Sequence, residues 1–154
     1  MPATLDAIDL KIVKELCHDA RLTNVALSRK VGVSAPPCLR RVRALEESGI
    51  LTGYHAAVDL DAVGFTVVAF VSVALHNQAE RDLRAFENRL LDWPIVREAH
   101  MMSGETDYLL KCVARDLREF QAFVADFIAA APNVASVKVQ VAMRPLKFEA
   151  GPPL

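Results

Sequence analysis

The sequence predicts an α+β chain in two parts, a three-helix front followed by a βαββαβ ferredoxin-like sandwich. Three observations carry this. Up to about residue 49, apolar positions recur at helical spacing and are interrupted by a glycine turn. From about residue 67 the pattern changes to apolar strands alternating with amphipathic helices. The second part also repeats itself, because DLRAF at 82–86 is echoed by DLREF at 116–120.

Leu5, Ile8, Ile12, Val13 and Leu16 form the apolar stripe of a first helix, which Asp19-Ala20-Arg21 ends. Thr23 or Asn24 caps a short second helix with Val25, Leu27 and Val31 as its apolar positions, and Gly32 stops it because glycine tolerates positive φ. Ser34 caps a third helix that accepts Pro36 and Pro37 in its first turn, where backbone N–H groups have no intrahelical partner. Cys38, Val42 and Leu45 line its inner face, and Glu46 to Gly49 close it. ILTGYHAAVD, residues 50–59, alternates enough to predict a short strand or hairpin. Leu60 to Gly64 reads as a hinge, giving domains at 1–60 and 67–148 with 61–66 between them.

In the second part each repeat begins with an apolar strand, Val67 to Leu75 or Tyr108 to Val113. Each continues through a helix to a P-x-V element, Pro94-Ile95-Val96 or Pro132-Asn133-Val134, and then to a strand, Val96 to Met102 or Val134 to Ala142. The longer spacing from Asp116 to Pro132 predicts a second helix one turn longer than the first. A tight turn at Ser103-Gly104-Glu105-Thr106 joins the halves into βαββαβ. Trp93-Pro94 is expected to anchor the first sandwich helix, and Met101-Met102 to pack. Helices cover one face of such a sheet. VVAFVSVAL hardly alternates, which implies burial on both faces, and Val137, Val139 and Val141 alternate with Lys138 and Gln140. A second copy covering the open sheet face is the economical explanation.

Charge points to the partner. Arg21 to Arg43 carries Arg21, Arg29, Lys30, Arg40, Arg41 and Arg43 and no acidic residue, in a chain of net charge -1. A local basic excess on helix, turn, helix is the footprint expected of a surface that meets phosphate backbone. In a helix-turn-helix, here about 24–43, the second helix enters the major groove. Outward positions on it include Ala35, Pro36, Arg40 and Arg43, with Arg41 on the flank. The candidate DNA-binding set is Asn24, Ser34, Ala35, Pro36, Pro37, Arg40, Arg41 and Arg43. Arginine pairs with guanine or holds phosphate, and both roles stay open for each one. The competing reading is a solvated basic face on a packing helix.

Other chemistries find no support. Cys17, Cys38 and Cys112 are scattered and odd in number, which argues against a disulfide framework and fits a reducing cytosol. His18, His55, His76 and His100 fall in different elements without metal-ligand spacing. No G-x-S-x-G, P-loop or G-x-G-x-x-G occurs, so no catalytic residue, cofactor or metal is expected. The acids of MPATLDAIDLK stand where a secretory leader would be basic, and the apolar run Ala62 to Leu75 is shorter than a bilayer span of ~20 residues. A cytoplasmic, nucleoid-associated location follows as the expectation.

Around these features the chain resembles the leucine-responsive and asparagine-responsive (Lrp/AsnC, feast/famine) family of transcription regulators. The resemblance rests on LDAIDLKIVKEL at 5–16, on residues 19–59 with S-x-x-P-C-L-x-R-V-R-x-L-E-x-x-G at 34–49 and I-L-x-G-Y beyond, and on SGETDYLLK at 103–111. It implies a winged helix-turn-helix followed by a RAM-type ferredoxin-like effector domain, in dimers that assemble further into a tetramer or octamer. It also implies an amino-acid-like effector bound between dimers near the turn Met102, Ser103, Gly104, Glu105, Thr106, Asp107 and Tyr108, with Gln140 at a position that affects effector response. N–H groups of a glycine turn suit a carboxylate, and Asp107 suits an α-ammonium. The plain alternatives are that Gly104 and Asp107 only shape a hairpin and that Gln140 sits on a wet strand edge. The reading as a whole is a DNA-binding regulator tuned by a small effector. Its rivals are a metabolite sensor or enzyme of ferredoxin-like fold and a ligand-free architectural DNA-organising protein.

Overall fold

The computed structural model of the protein describes residues 5–154. Residues 1–4, the first part of MPATLDAIDLK, lie outside the described residues. The chain divides into a helical unit, which runs to Ala57 and takes back Lys147–Leu154, and a sandwich unit, Val58–Leu146. The boundaries expected from sequence assign no part of the C-terminal segment to the front.

Three helices build the first unit: α1 (Ala7–His18), α2 (Asn24–Val31) and α3 (Ala35–Glu47). Asp6 caps α1 through a capping box: its carboxylate accepts from the Ile8 and Asp9 N–H groups, and the Asp9 carboxylate accepts from the Asp6 N–H. The cap of α2 is Thr23 rather than Asn24, with Oγ1 accepting from the Ala26 N–H at 3.2 Å. Gly32 ends α2 in the left-handed conformation, φ +80°, which a side chain adopts only at a cost. Ile12, Val13, Leu16, Leu27, Val31, Cys38 and Leu45 form the core, with Val42 packed against it. Burial pushes the Cys38 thiol pKa up, so that side chain behaves as a small apolar residue. Val25, expected on the apolar face, is exposed instead, because α2 is short and only Leu27, Ser28 and Val31 reach the interior. Residues 50–59 form no strand, contrary to the expectation. An isolated extended segment has no ladder partner and gains nothing from β geometry.

The sandwich unit has the predicted order: β1 (Val67–Leu75), α4 (Glu80–Leu91), β2 (Val96–Met101), β3 (Tyr108–Ala114), α5 (Leu117–Phe123) and β4 (Val134–Val141). All pairings are antiparallel, in the order β2-β3-β1-β4. Leu60 to Gly64, the segment expected as a hinge, forms a turn, with Phe65 N–H donating to Leu60 O at 2.8 Å and Gly64 N–H to Asp61 O at 3.0 Å. The second helix is not a turn longer. It widens after Phe123 into a π turn, Val124–Ile128, closed by Ala129 N–H to Val124 O, and the two pieces together match α4 in length. The extra residues form the turn that follows, up to Pro132.

Helices and sheet enclose Val71, Val73, Phe86, Leu110, Phe120 and Ile128 among others, each large apolar side chain contributing about 1.5–3 kcal/mol on burial. Trp93 anchors the end of α4 as expected, edge-on to Phe86 at 6.0 Å and to Phe123 at 5.6 Å. Met101 and Met102 do not pack as expected; both are exposed at the end of edge strand β2, beyond the cover of the helices. On the opposite sheet face, the register sets Val68, Phe70 and Ser72 beside Val113, Lys111 and Leu109, and Phe70 and Ser72 beside Gln140 and Lys138. Phe70 is 37% exposed there, so β1 is buried toward the helices and half-open on its other side.

Candidate functional site

The N-terminus of α3 differs from an ordinary helix start. Ser34 stands at the cap, but its hydroxyl makes no capping bond, and the first helical bond is Cys38 N–H to Ser34 O at 3.2 Å. Of the four positions whose N–H groups lack intrahelical acceptors, Pro36 and Pro37 have no N–H at all. What this end offers an incoming anion is therefore the Ser34 hydroxyl and the N–H groups of Ser34 and Ala35, not a full ring of amides. Ser34 and Pro36 are exposed, and Ala35 and Pro37 are half-buried.

The six cations of the basic segment separate into two groups. Arg40 and Arg43 are exposed, lie three residues apart on one face of α3 and make no ion pair among the described residues; Arg21 and Arg29 are likewise unpaired. Lys30 is bound to Glu15 of α1 at 2.5 Å. The Arg41 guanidinium reaches the Asp6 and Asp9 carboxylates, each at 2.7 Å, with Asp9 its strongest partner in holding the charged form, and it is turned toward α1.

Asn24, the remaining DNA candidate, donates from Nδ2 to the Ala35 carbonyl at 2.8 Å, while its Oδ1 is buried and has no partner among the described residues. Its observed contact ties the start of α2 to the start of α3. Beside it an apolar groove is lined by Leu22, Leu27, Leu39, Val42 and Tyr54. Desolvation, reinforced by its bond to Glu46 at 2.7 Å, pushes the Tyr54 phenol up to about 12, so it stays neutral and donates.

The β2–β3 turn offers two kinds of group. Met102 N–H donates to Asp107 O at 2.8 Å, closing a loop in which the N–H groups of Ser103, Gly104, Glu105 and Thr106 donate to no acceptor among the described residues. Gly104 has φ +143°, a conformation that favours glycine. Ser103, Gly104 and Glu105 are exposed. Asp107, by contrast, is buried and engaged: Oδ2 accepts from the Leu75 N–H at 2.6 Å and Oδ1 from Gln78 Nε2 at 2.8 Å. Tyr108 is buried and its hydroxyl bonds Glu87 at 3.0 Å, burial and that carboxylate together raising the phenol. Gln140 lies on β4 opposite Phe70, at the other edge of the sheet from β2. One chain thus joins Gly104, Asp107 and Tyr108 in one turn and leaves Gln140 two strands away.

Sequence reasoning missed the partners. The Asp6-x-x-Asp9 spacing signals a helix start, but nothing local points to Arg41, more than thirty residues on. Gln78 and the Asn77–Asn133 clasp were equally silent. Asn133, φ +71°, donates to Asn77 O at 2.6 Å and accepts from Asn77 N–H at 2.8 Å, joining the ends of β1 and β4.

Family models match both units. Residues 5–52 match a winged helix-turn-helix DNA-binding model, and residues 68–152 match the Lrp/AsnC ligand binding domain. The chain is similar to the leucine-responsive regulatory protein of Rhizobium meliloti, at 51% identity over 93% of this chain and 92% of that one. It is 41% identical to the Bkd operon transcriptional regulator of Pseudomonas aeruginosa, over 99% of each. A transcriptional regulator of Neisseria meningitidis, solved as a complex with L-Met, superposes with a TM-score of 0.91 at 34% identity, covering 97% of both chains. The chain belongs to the Lrp/AsnC family of transcriptional regulators, with a helix-turn-helix for DNA and a ferredoxin-like ligand-binding domain.

Proposed function

We propose that this regulator reads its operator with the exposed face of α3, using Arg40, Arg43 and the free hydroxyl of Ser34, with Ala35, Pro36 and Pro37 forming the surface that approaches the groove. The carrying observation is that Arg40 and Arg43 share one exposed face and make no ion pair among the described residues. Each cation that meets a phosphate releases counterions and steepens the salt dependence of binding by about 0.9 in log–log slope. Arg40→Gln and Arg43→Gln should each weaken operator binding in a fluorescence-anisotropy titration. Loss of a phosphate contact makes the slope shallower, and loss of a guanine contact relaxes preference at one base position. Wild-type affinity and slope in both variants would remove α3 from the interface.

The β2–β3 turn is the effector site in this proposal, with the four free N–H groups around Gly104 receiving a carboxylate. The L-Met complex of the Neisseria meningitidis relative supports an amino acid as the class. Asp107 and Tyr108 shape the turn from behind, and Gln140 joins the site only if another subunit completes it. A thermal-shift screen of the twenty amino acids, followed by mass measurement with the best hit, tests ligand and assembly together; a flat screen favours a ligand-free architectural role. Assembly is proposed to begin with a second copy on the open sheet face around Phe70, and dimers to associate into a tetramer or octamer. We place the protein in the cytoplasm with DNA and assign it no catalytic activity. Among the described residues no helix is long and apolar enough to cross a membrane.

A further inference from the structure

The Arg41 side chain occupies every open acceptor of the α1 cap. Asp6 Oδ1 is taken by the Ile8 and Asp9 N–H groups and Asp9 Oδ2 by the Asp6 N–H. The two oxygens left over, Asp6 Oδ2 and Asp9 Oδ1, both hold Arg41 Nη1. All four carboxylate oxygens therefore have donors, and one guanidinium faces two negative charges at 2.7 Å. Both Nη1 hydrogens are taken, so a DNA phosphate would meet only the Nε or Nη2 hydrogens, on a guanidinium whose charge is already faced by two carboxylates and whose direction they fix. The clamp holds the middle of α3 to the start of α1, whereas Asn24, through the Ala35 carbonyl, fixes α2 to the start of α3. Arg41 stands next to Arg40 and two residues from Arg43, so a tilt of α3 about its buried Cys38 and Leu45 face moves both exposed arginines.

We infer that Arg41 is a positioning residue for DNA recognition, an ionic clamp that sets the pose of α3 against the capped end of α1 and makes no phosphate contact itself. The inference rests on α3 being the reading helix, and its test keeps the two separable. Arg41→Gln is titrated against operator and against random-sequence DNA over a salt series, at a temperature well below its melting point, with Arg40→Gln and Arg43→Gln alongside.

The clamp predicts that Arg41→Gln keeps the wild-type salt slope on both DNAs and keeps random-sequence affinity. It also predicts that the operator-to-random ratio falls on the order of tenfold, the cost of misplacing about one base contact. Arg41→Lys, whose point charge satisfies one carboxylate well and the other poorly, should recover part of the ratio and guard against a folding defect in the glutamine variant. A slope shallower by about 0.9, with both DNAs weakened alike, would show a direct phosphate contact and overturn the clamp. A lowered melting point with an unchanged ratio would overturn it too, leaving Arg41 with stability alone. The Arg40 and Arg43 variants report separately on α3 as the reading helix.

Discussion

Replacing Asp107 by alanine separates a hairpin-building carboxylate from one reserved for ligand. In the structure this side chain is buried and accepts two hydrogen bonds, from the Leu75 N–H at 2.6 Å and from Gln78 Nε2 at 2.8 Å. Hydrogen bonds to a charged acceptor contribute about 1.5–3 kcal/mol each, and a donor left buried without a partner costs about 1–3 kcal/mol. The Leu75 N–H is buried and would be such a donor, whereas the amide of exposed Gln78 turns to water. Asp107→Ala is therefore expected to cost about 3 kcal/mol without any effector present. In a unit of this size that lowers the melting temperature on the order of 15 °C. Asp107→Asn keeps an acceptor for Leu75 and lets Gln78 flip to match, so it should cost about 1 kcal/mol. The assay is urea unfolding followed by the fluorescence of Trp93, the single tryptophan, which reports the sandwich unit, at one fixed protein concentration because assembly shifts apparent stability. A loss below about 1 kcal/mol for Asp107→Ala would refute the structural role and return the carboxylate to the ligand.

Three further outcomes follow from local geometry. Gly32→Ala forces a side chain into φ +80° at the end of α2 and should destabilise the helical unit by about 1 kcal/mol, read by far-UV circular dichroism. Asn133→Gly removes both side-chain bonds to Asn77 but relieves φ +71°, so it should be less damaging than Asn133→Ala by about 1 kcal/mol in the Trp93 unfolding assay. Asp6 is held below its ordinary pKa of 3.8, first by the Asp9 N–H and then by Arg41. A depressed carboxylate stabilises the folded state above its unfolded pKa and loses that contribution as pH falls through the folded value. The helical unit should thus melt lower at pH 3 than at pH 5, and Asp6→Asn should flatten that difference.

Elements legible along the chain share one property: their signal is local. The stripe Ile12, Val13, Leu16, the Gly32 stop, the DLRAF/DLREF echo and the strand over Val67–Leu75 all reappear in place, because periodicity and capping are decided within a few residues. Expectations that failed depended on what lies opposite. Residues 50–59 alternate like a strand and find no ladder; Met101 and Met102 look like core and stand beyond the helices; extra spacing before Pro132 looks like a longer helix and becomes the turn that follows it.

The candidate sites divide the same way. Six positive charges without an acid between them mark a candidate DNA-facing segment from composition alone, and the family pattern at 34–49 falls on the proposed reading helix. Which of those charges are available is a different question, since it turns on carboxylates of another helix. Folding brings Asp6 and Asp9 to Arg41 and Glu15 to Lys30, leaving Arg40 and Arg43 free on the outer face of α3. It likewise takes Asp107 into the end of β1 and leaves the amides around Gly104 open. Residue types and spacing declare which groups a chain carries; which of them remain unpaired is set by distance in space, because a charge is spent or available according to what stands within about 4 Å of it.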